Sequence, residues 1–158
     1  MENIPEQLRE RPQWVTWCLE ERDGKQTKVP YVASLTGPKR KASATNLLTW
    51  RRFDTAVLAL EVVEAGGPHY DGIGFVLSSG DPYVGIDLDD CRNLETGELD
   101  LWAEKIVTAF EPTSYIEQSP SGRGIHIITT ATLEEAVKTP HIEIYSQARY
   151  FTITGRGL

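Results

Sequence analysis

Three short segments alternate aliphatic with ionisable residues, and this alternation constrains the fold more than any other feature of the chain. In Tyr83-Val84-Gly85-Ile86-Asp87-Leu88-Asp89, the residues Val84, Ile86 and Leu88 occupy every second position. Successive side chains of a strand point to opposite faces, so these three belong to a core and Gly85, Asp87 and Asp89 share the other face, predicted to be open. Gly124-Ile125-His126-Ile127 repeats the pattern with His126 facing away from two isoleucines. His141-Ile142-Glu143-Ile144-Tyr145 is a third case, with Ile142 and Ile144 inward and His141, Glu143 and Tyr145 outward. A period of two fits no helix, so the chain is committed to a sheet with one apolar face and one carrying ionisable groups.

Other segments complete an α+β pattern. Trp14–Leu19 and Lys28–Ala33 read as strands around a hairpin turn at Glu20–Gln26, centred on Asp23-Gly24. Ser34–Lys41 is a polar, basic loop. Thr45 is placed to cap a helix from Asn46 to about Ala65, with Leu47, Trp50, Phe53, Val57 and Leu60 on one face and Gly66-Gly67-Pro68 ending it. Gly72–Leu77 and Tyr83–Asp89 are strands joined through Ser79-Gly80-Asp81-Pro82. A second helix starts near Asp100, with Trp102, Ile106 and Ala109 inward, and stops before Pro112. Strands follow at Ser114–Gln118, Gly124–Thr129, His141–Tyr145 and Tyr150–Thr154, and Leu133–Val137 reads as one helical turn. Strands interleaved with two helices predict helices packed on one face of a sheet. At 158 residues the chain is long enough for one domain with its own core.

Composition removes several classes. The chain is 40% hydrophobic and 25% charged, which is ordinary for a globular domain. No apolar run approaches the roughly 18–20 residues of a membrane span, so no membrane partner is expected. The N-terminus lacks a charged-then-apolar export signal, and Cys18 and Cys91 are isolated, without metal-ligand spacing. These features predict a cytoplasmic location. The net charge of −7 is unevenly distributed. Residues 1–52 hold 10 basic and 6 acidic groups (+4), residues 53–111 hold 2 and 13 (−11), and the remainder balance at 4 and 4. A basic margin beside an acidic centre is compatible with a nucleic acid, although the total charge argues mildly against one.

The acidic centre holds the chemistry. Asp87 and Asp89 lie about 7 Å apart at Cα, close enough to share a pair of hard cations of the kind used in phosphoryl transfer. Ser119-Pro120-Ser121-Gly122-Arg123-Gly124 is a small, glycine-rich turn whose N–H groups could cup an anion, with one arginine at its tip. His126 follows it and can donate to a phosphate oxygen. Three chemistries fit such a face: nucleotidyl transfer, metal-dependent nucleic-acid cleavage, and non-catalytic binding in which Tyr145 and Tyr150 stack on bases.

The order of Gly85-Ile86-Asp87-Leu88-Asp89, Ser121-Gly122-Arg123-Gly124-Ile125-His126 and Ile142-Glu143-Ile144-Tyr145 resembles the three motifs of the archaeo-eukaryotic primase superfamily. It is similar in particular to primase-polymerases of phages, plasmids and other mobile elements. Trp14-Val15-Thr16-Trp17, Gly24–Tyr31, Thr49-Trp50 and Arg149–Gly155 extend the resemblance over nearly the whole chain. It implies a recognition-motif-like sheet fused to an N-terminal α/β unit, with the active site between them, and one catalytic core over residues 1–158 that further segments follow in relatives. It also implies DNA primase or polymerase activity in replication, with two Mg²⁺ or Mn²⁺ ions on Asp87, Asp89 and Glu143. Ser121, Arg123, His126 and Arg149 would hold the incoming dNTP or NTP. Single-stranded template, primer and a helicase domain or partner are the implied companions.

Overall fold

The computed structural model describes residues 1–62 and 67–158. A short helix α1 (Glu6–Arg9) precedes a hairpin of β1 (Trp14–Arg22) and β2 (Lys25–Tyr31). The turn is tighter than the predicted Glu20–Gln26. Only Asp23 and Gly24 are unpaired, at φ 51° and 74°, and Arg22 pairs directly with Lys25. Positive φ at both central positions gives the twist that suits a two-residue hairpin, so pairing runs right up to the turn.

The first long helix also differs from expectation. Leu47–Thr49 is a 3₁₀ turn, capped by Asn46 rather than Thr45: the Leu48 N–H donates to Asn46 Oδ1 at 3.1 Å. The helix proper, α2, spans Phe53–Glu61. Arg51 interrupts it by exchanging backbone hydrogen bonds of 2.8 and 2.9 Å with Trp14, at the start of β1 beyond the end of β2. Leu47 is therefore 68% exposed, while Phe53, Val57 and Leu60 pack on the core. Val62 already has extended backbone, and the predicted stretch to Ala65 and its Gly66 stop fall outside the described residues.

The strands β3 (Gly72–Leu77), β4 (Tyr83–Leu88), β5 (Tyr115–Gln118), β6 (Ile125–Thr130), β8 (Ile142–Tyr145) and β9 (Arg149–Ile153) follow the predicted segments, as does α3 (Leu101–Phe110). On α3, Ala103 is buried and Trp102, Ile106, Val107 and Phe110 are partly buried against the same cluster; Ala109 is exposed, contrary to prediction. The predicted turn of helix at Leu133–Val137 is absent, because Val137-Lys138 forms β7 on the edge of β8.

The strands form two antiparallel sheets, ordered β2-β1-β3-β9 and β5-β6-β4-β8-β7. The architecture is α+β. One face of the second sheet, carrying Ile86, Leu88, Ile125 and Ile127, packs with α3 into one apolar cluster. Its other face is not open, as alternation suggested, but turned towards the first sheet. A Cβ on Gly85 would lie 2.7 Å from the Phe151 ring and 3.0 Å from Leu77 Cδ1, so glycine is what lets the two sheets approach there. Phe75, Leu77, Phe151, Tyr115 and Ile128, with α2, form the larger cluster between them. The ionisable face of β4 therefore opens into a crevice between sheets.

Candidate active site

Strand register places five ionisable residues in one line across the second sheet. Glu117 pairs with His126, His126 with Asp87, Asp87 with Glu143, and Glu143 with Lys138. Neighbouring strands are about 4.8 Å apart, so each side chain reaches the next. The order acid, imidazole, acid, acid, cation thus comes from pairing and period alone, one residue from each strand.

At the inner end, His126 is 4% exposed, with Nδ1 3.3 Å from Glu117 Oε1 and Nε2 3.6 Å from Asp87 Oδ1. The His126 and Phe151 rings pack in a T shape, with centroids 5.6 Å apart. Asp87 is half-buried, and loss of solvent raises its pKa; His126 and Lys28 oppose that rise, whereas the negative charges of Asp89 and Glu143 add to it. Excess negative charge at a half-dry site is what a cation would relieve.

Glu143 is held differently. Lys138 Nζ lies 2.5 Å from Oε1, and Arg149 Nη2 and Tyr145 Oη donate to Oε2 at 3.0 Å. Lys138 is the main cause of its lowered pKa, with Tyr145 and Arg149 adding to the effect against desolvation. Arg149 also stacks on the Tyr145 ring, 4.7 Å from its centroid.

A cavity of about 530 Å³ opens beside this row. Asp87, His126 and Arg149 line it, with Lys28 from the first sheet, Tyr145 and Tyr150. Tyr150 spans the first sheet above Gly74 and donates to the Lys28 carbonyl. Asp89 is exposed just beyond the end of β4, where its N–H donates to His141 O. Among the described residues, no three histidine, cysteine or acidic side chains stand close enough to hold one metal ion.

The turn before β6 is arranged otherwise than its composition suggests. The N–H groups of Gly122, Gly124 and Arg123 already donate to Ser119 O, Ser119 Oγ and Ser121 Oγ. The Arg123 guanidinium donates to Asp90 at 2.7 Å and is pushed to higher pKa by it. Gly124 lies against the end of β4, where a Cβ would meet Leu88 O at 2.5 Å. Arg123 is thus paired with Asp90, and neither it nor Ser121 lines the cavity.

Three residues without a site role in the sequence reading belong here. Glu117 carries a signal in hindsight, since it is the acid at an inward position of a β-branched and aromatic strand. Lys138 and Lys28 carry none: strand pairing brings Lys138 beside Glu143, and the packing of the first sheet on the second brings Lys28 to the cavity.

No family model matches the chain. In an alignment of 150 positions that covers 90% of the chain, it is 37% identical to a protein of Nitratiruptor phage NrS-1 named DNA primase-polymerase, of which it spans 19%. The chain therefore belongs to the archaeo-eukaryotic primase superfamily, and within it to the primase-polymerases. Among the described residues, no helix is long and apolar enough to cross a membrane.

Proposed function

We propose that the chain is a nucleotidyl-transfer core that joins nucleotides on a DNA template, working as primase, polymerase or both. The observation that carries this reading is the row in which Asp87 and Glu143 face each other beside a cavity rimmed by His126, Arg149 and Lys28. In this reading the second sheet with α3 is the recognition-motif-like unit, and the first sheet with α2 is the N-terminal α/β unit.

Asp87, Asp89 and Glu143 offer the hard oxygen donors that Mg²⁺ or Mn²⁺ prefers, and the raised pKa of Asp87 fits a site lacking positive charge. Glu143 joins such a site only when Lys138 and Arg149 release it. Two bound ions would supply an acidified attacking hydroxyl and stabilised leaving oxygens. His126 and Arg149 face the space where a triphosphate would lie, and Lys28 approaches it from the first sheet. Ser121 and Arg123 would act at the Asp89 end. Little covalent chemistry is asked of the protein.

Cationic side chains around the cavity favour a triphosphate over simple strand cleavage. Tyr150, with its hydroxyl engaged by Lys28 O, and Tyr145, stacked under Arg149, are less free to serve as base-stacking platforms. The test is nucleotide titration with and without Mn²⁺ or Mg²⁺, followed by extension of a labelled primer. Metal-dependent binding and extension are expected. Metal-dependent cleavage would move the reading to a nuclease, and metal-independent binding of single strands alone would move it to a binding module.

A further inference from the structure

We infer that Glu117 is a positioning residue that grips His126 through Nδ1 and thereby presents Nε2 to Asp87 and the cavity. The inference deepens the nucleotidyl-transfer reading and rests on it for its functional consequence.

Glu117 is wholly buried in β5. A carboxylate without solvent is costly unless its oxygens are well supplied with donors. Here Oε2 accepts from Tyr115 Oη at 2.6 Å, Thr154 N at 2.9 Å, Thr154 Oγ1 at 3.0 Å and Gly155 N at 2.9 Å. The other oxygen, Oε1, accepts from Thr154 N at 3.1 Å and faces His126 Nδ1 at 3.3 Å. Among the described residues, no lysine or arginine forms an ion pair with it. Backbone N–H groups can only donate, so the carboxylate offers His126 an acceptor and Nδ1 carries the proton. With Phe151 against the ring, Nε2 is left pointing along the row towards Asp87.

The carboxylate thus does two separable things. Oε2 ties β5 to the end of β9, which a purely structural residue would also do. Oε1 sets the tautomer and aim of a ring that lines the cavity, as outer hydrogen-bond partners do for histidines in metal sites. Glu117→Gln separates the two. The crowded donors around Oε2 select the amide oxygen for that place, so the tie is kept and the NH₂ group faces Nδ1. Nδ1 must then accept, the ring proton moves to Nε2, and the character of Nε2 towards Asp87 and a neighbouring phosphate is exchanged.

The experiment uses the 158-residue chain, labelled with ¹⁵N at its three histidines. His126→Asn assigns the signal, and a nonhydrolysable dNTP is titrated with Mn²⁺. The wild type should show a protonated Nδ1 at His126. Glu117→Gln should melt close to wild type, show the proton on Nε2, and bind the nucleotide about tenfold more weakly. An unprotonated Nδ1 in the wild type overturns the inference, whether or not the variant folds. So does an inverted tautomer with unchanged nucleotide affinity. Wild type that binds no nucleotide at all overturns the nucleotidyl-transfer reading instead, while the ¹⁵N shifts still decide whether Glu117 sets the ring.

Discussion

The two glutamates of the ionisable row are built in opposite ways. Glu117 is fully buried, and its donors are two backbone N–H groups, two hydroxyls and one imidazole, all belonging to packed strands or their ends. Glu143 is 12% exposed and is clasped by Lys138 and Arg149, side chains that are themselves 70% and 49% exposed. Removing a donor from Glu117 means moving a strand. Removing one from Glu143 means rotating a long, solvated side chain, which costs little. The same residue type is therefore a fixture on one side of Asp87 and a carboxylate with exchangeable partners on the other. Asp87, between them, takes its histidine from the fixed side and its carboxylate partner from the mobile one.

The hardest test of that contrast is to delete the fixed end. Glu117→Ala strands several buried donors and leaves His126 without its acceptor, so a loss of about 4 kcal/mol in unfolding free energy is expected, measured by chemical denaturation. A loss below about 1 kcal/mol would mean that water replaces the carboxylate and that the inner end is not a fixture. Next in size is the middle of the row. Asp87→Asn should lower primer extension roughly a thousandfold, while leaving the metal-free protein at least as stable as wild type at neutral pH. The sign follows from the raised pKa: that shift favours the folded state only while the group is protonated, and the benefit is lost as pH rises through the folded value. Extension near the wild-type rate would remove Asp87 from the chemistry.

The same contrast marks what could be read from the chain. Alternation gave the strand faces of Asp87, His126 and Glu143, because a period of two survives any tertiary arrangement. It could not give their neighbours. Parity says which way His126 points, but not that β6 and β8 flank β4, nor that the supposedly open face meets Phe151. Glu117 was missed for a similar reason, since its donors at Thr154 and Gly155 lie 37 and 38 residues along the chain. The helix predicted from Asn46 failed where a distant pairing, Arg51 with Trp14, outweighed a local apolar pattern. The turn at Ser121 had the composition of an anion cradle, yet its serine hydroxyls and a carbonyl occupy the N–H groups that a phosphate would need. Composition reports which groups are available, and only the fold reports which are already used.

The smallest expected effect lies at the mobile end and probes exchangeability directly. Lys138→Met removes the cation nearest Glu143 without touching the cavity lining. Because Lys138 is exposed, the melting temperature at pH 7 should stay within about two degrees of wild type. That small difference has a defined pH dependence. Pairing lowers the pKa of Glu143, so the stability it confers is present above the ordinary glutamate value of 4.5 and is lost as pH falls through the lower folded value. Wild type and Lys138→Met should therefore converge below that range. Metal binding should move the other way. With Lys138 gone, a metal ion competes for Glu143 with Arg149 and the Tyr145 hydroxyl and no longer with the nearest cation, so Mn²⁺ titrated calorimetrically should bind a few-fold more tightly than to wild type. A mutant that bound Mn²⁺ more weakly would show Lys138 supporting the ion site instead of guarding it. Glu143 would then be as much a fixture as Glu117.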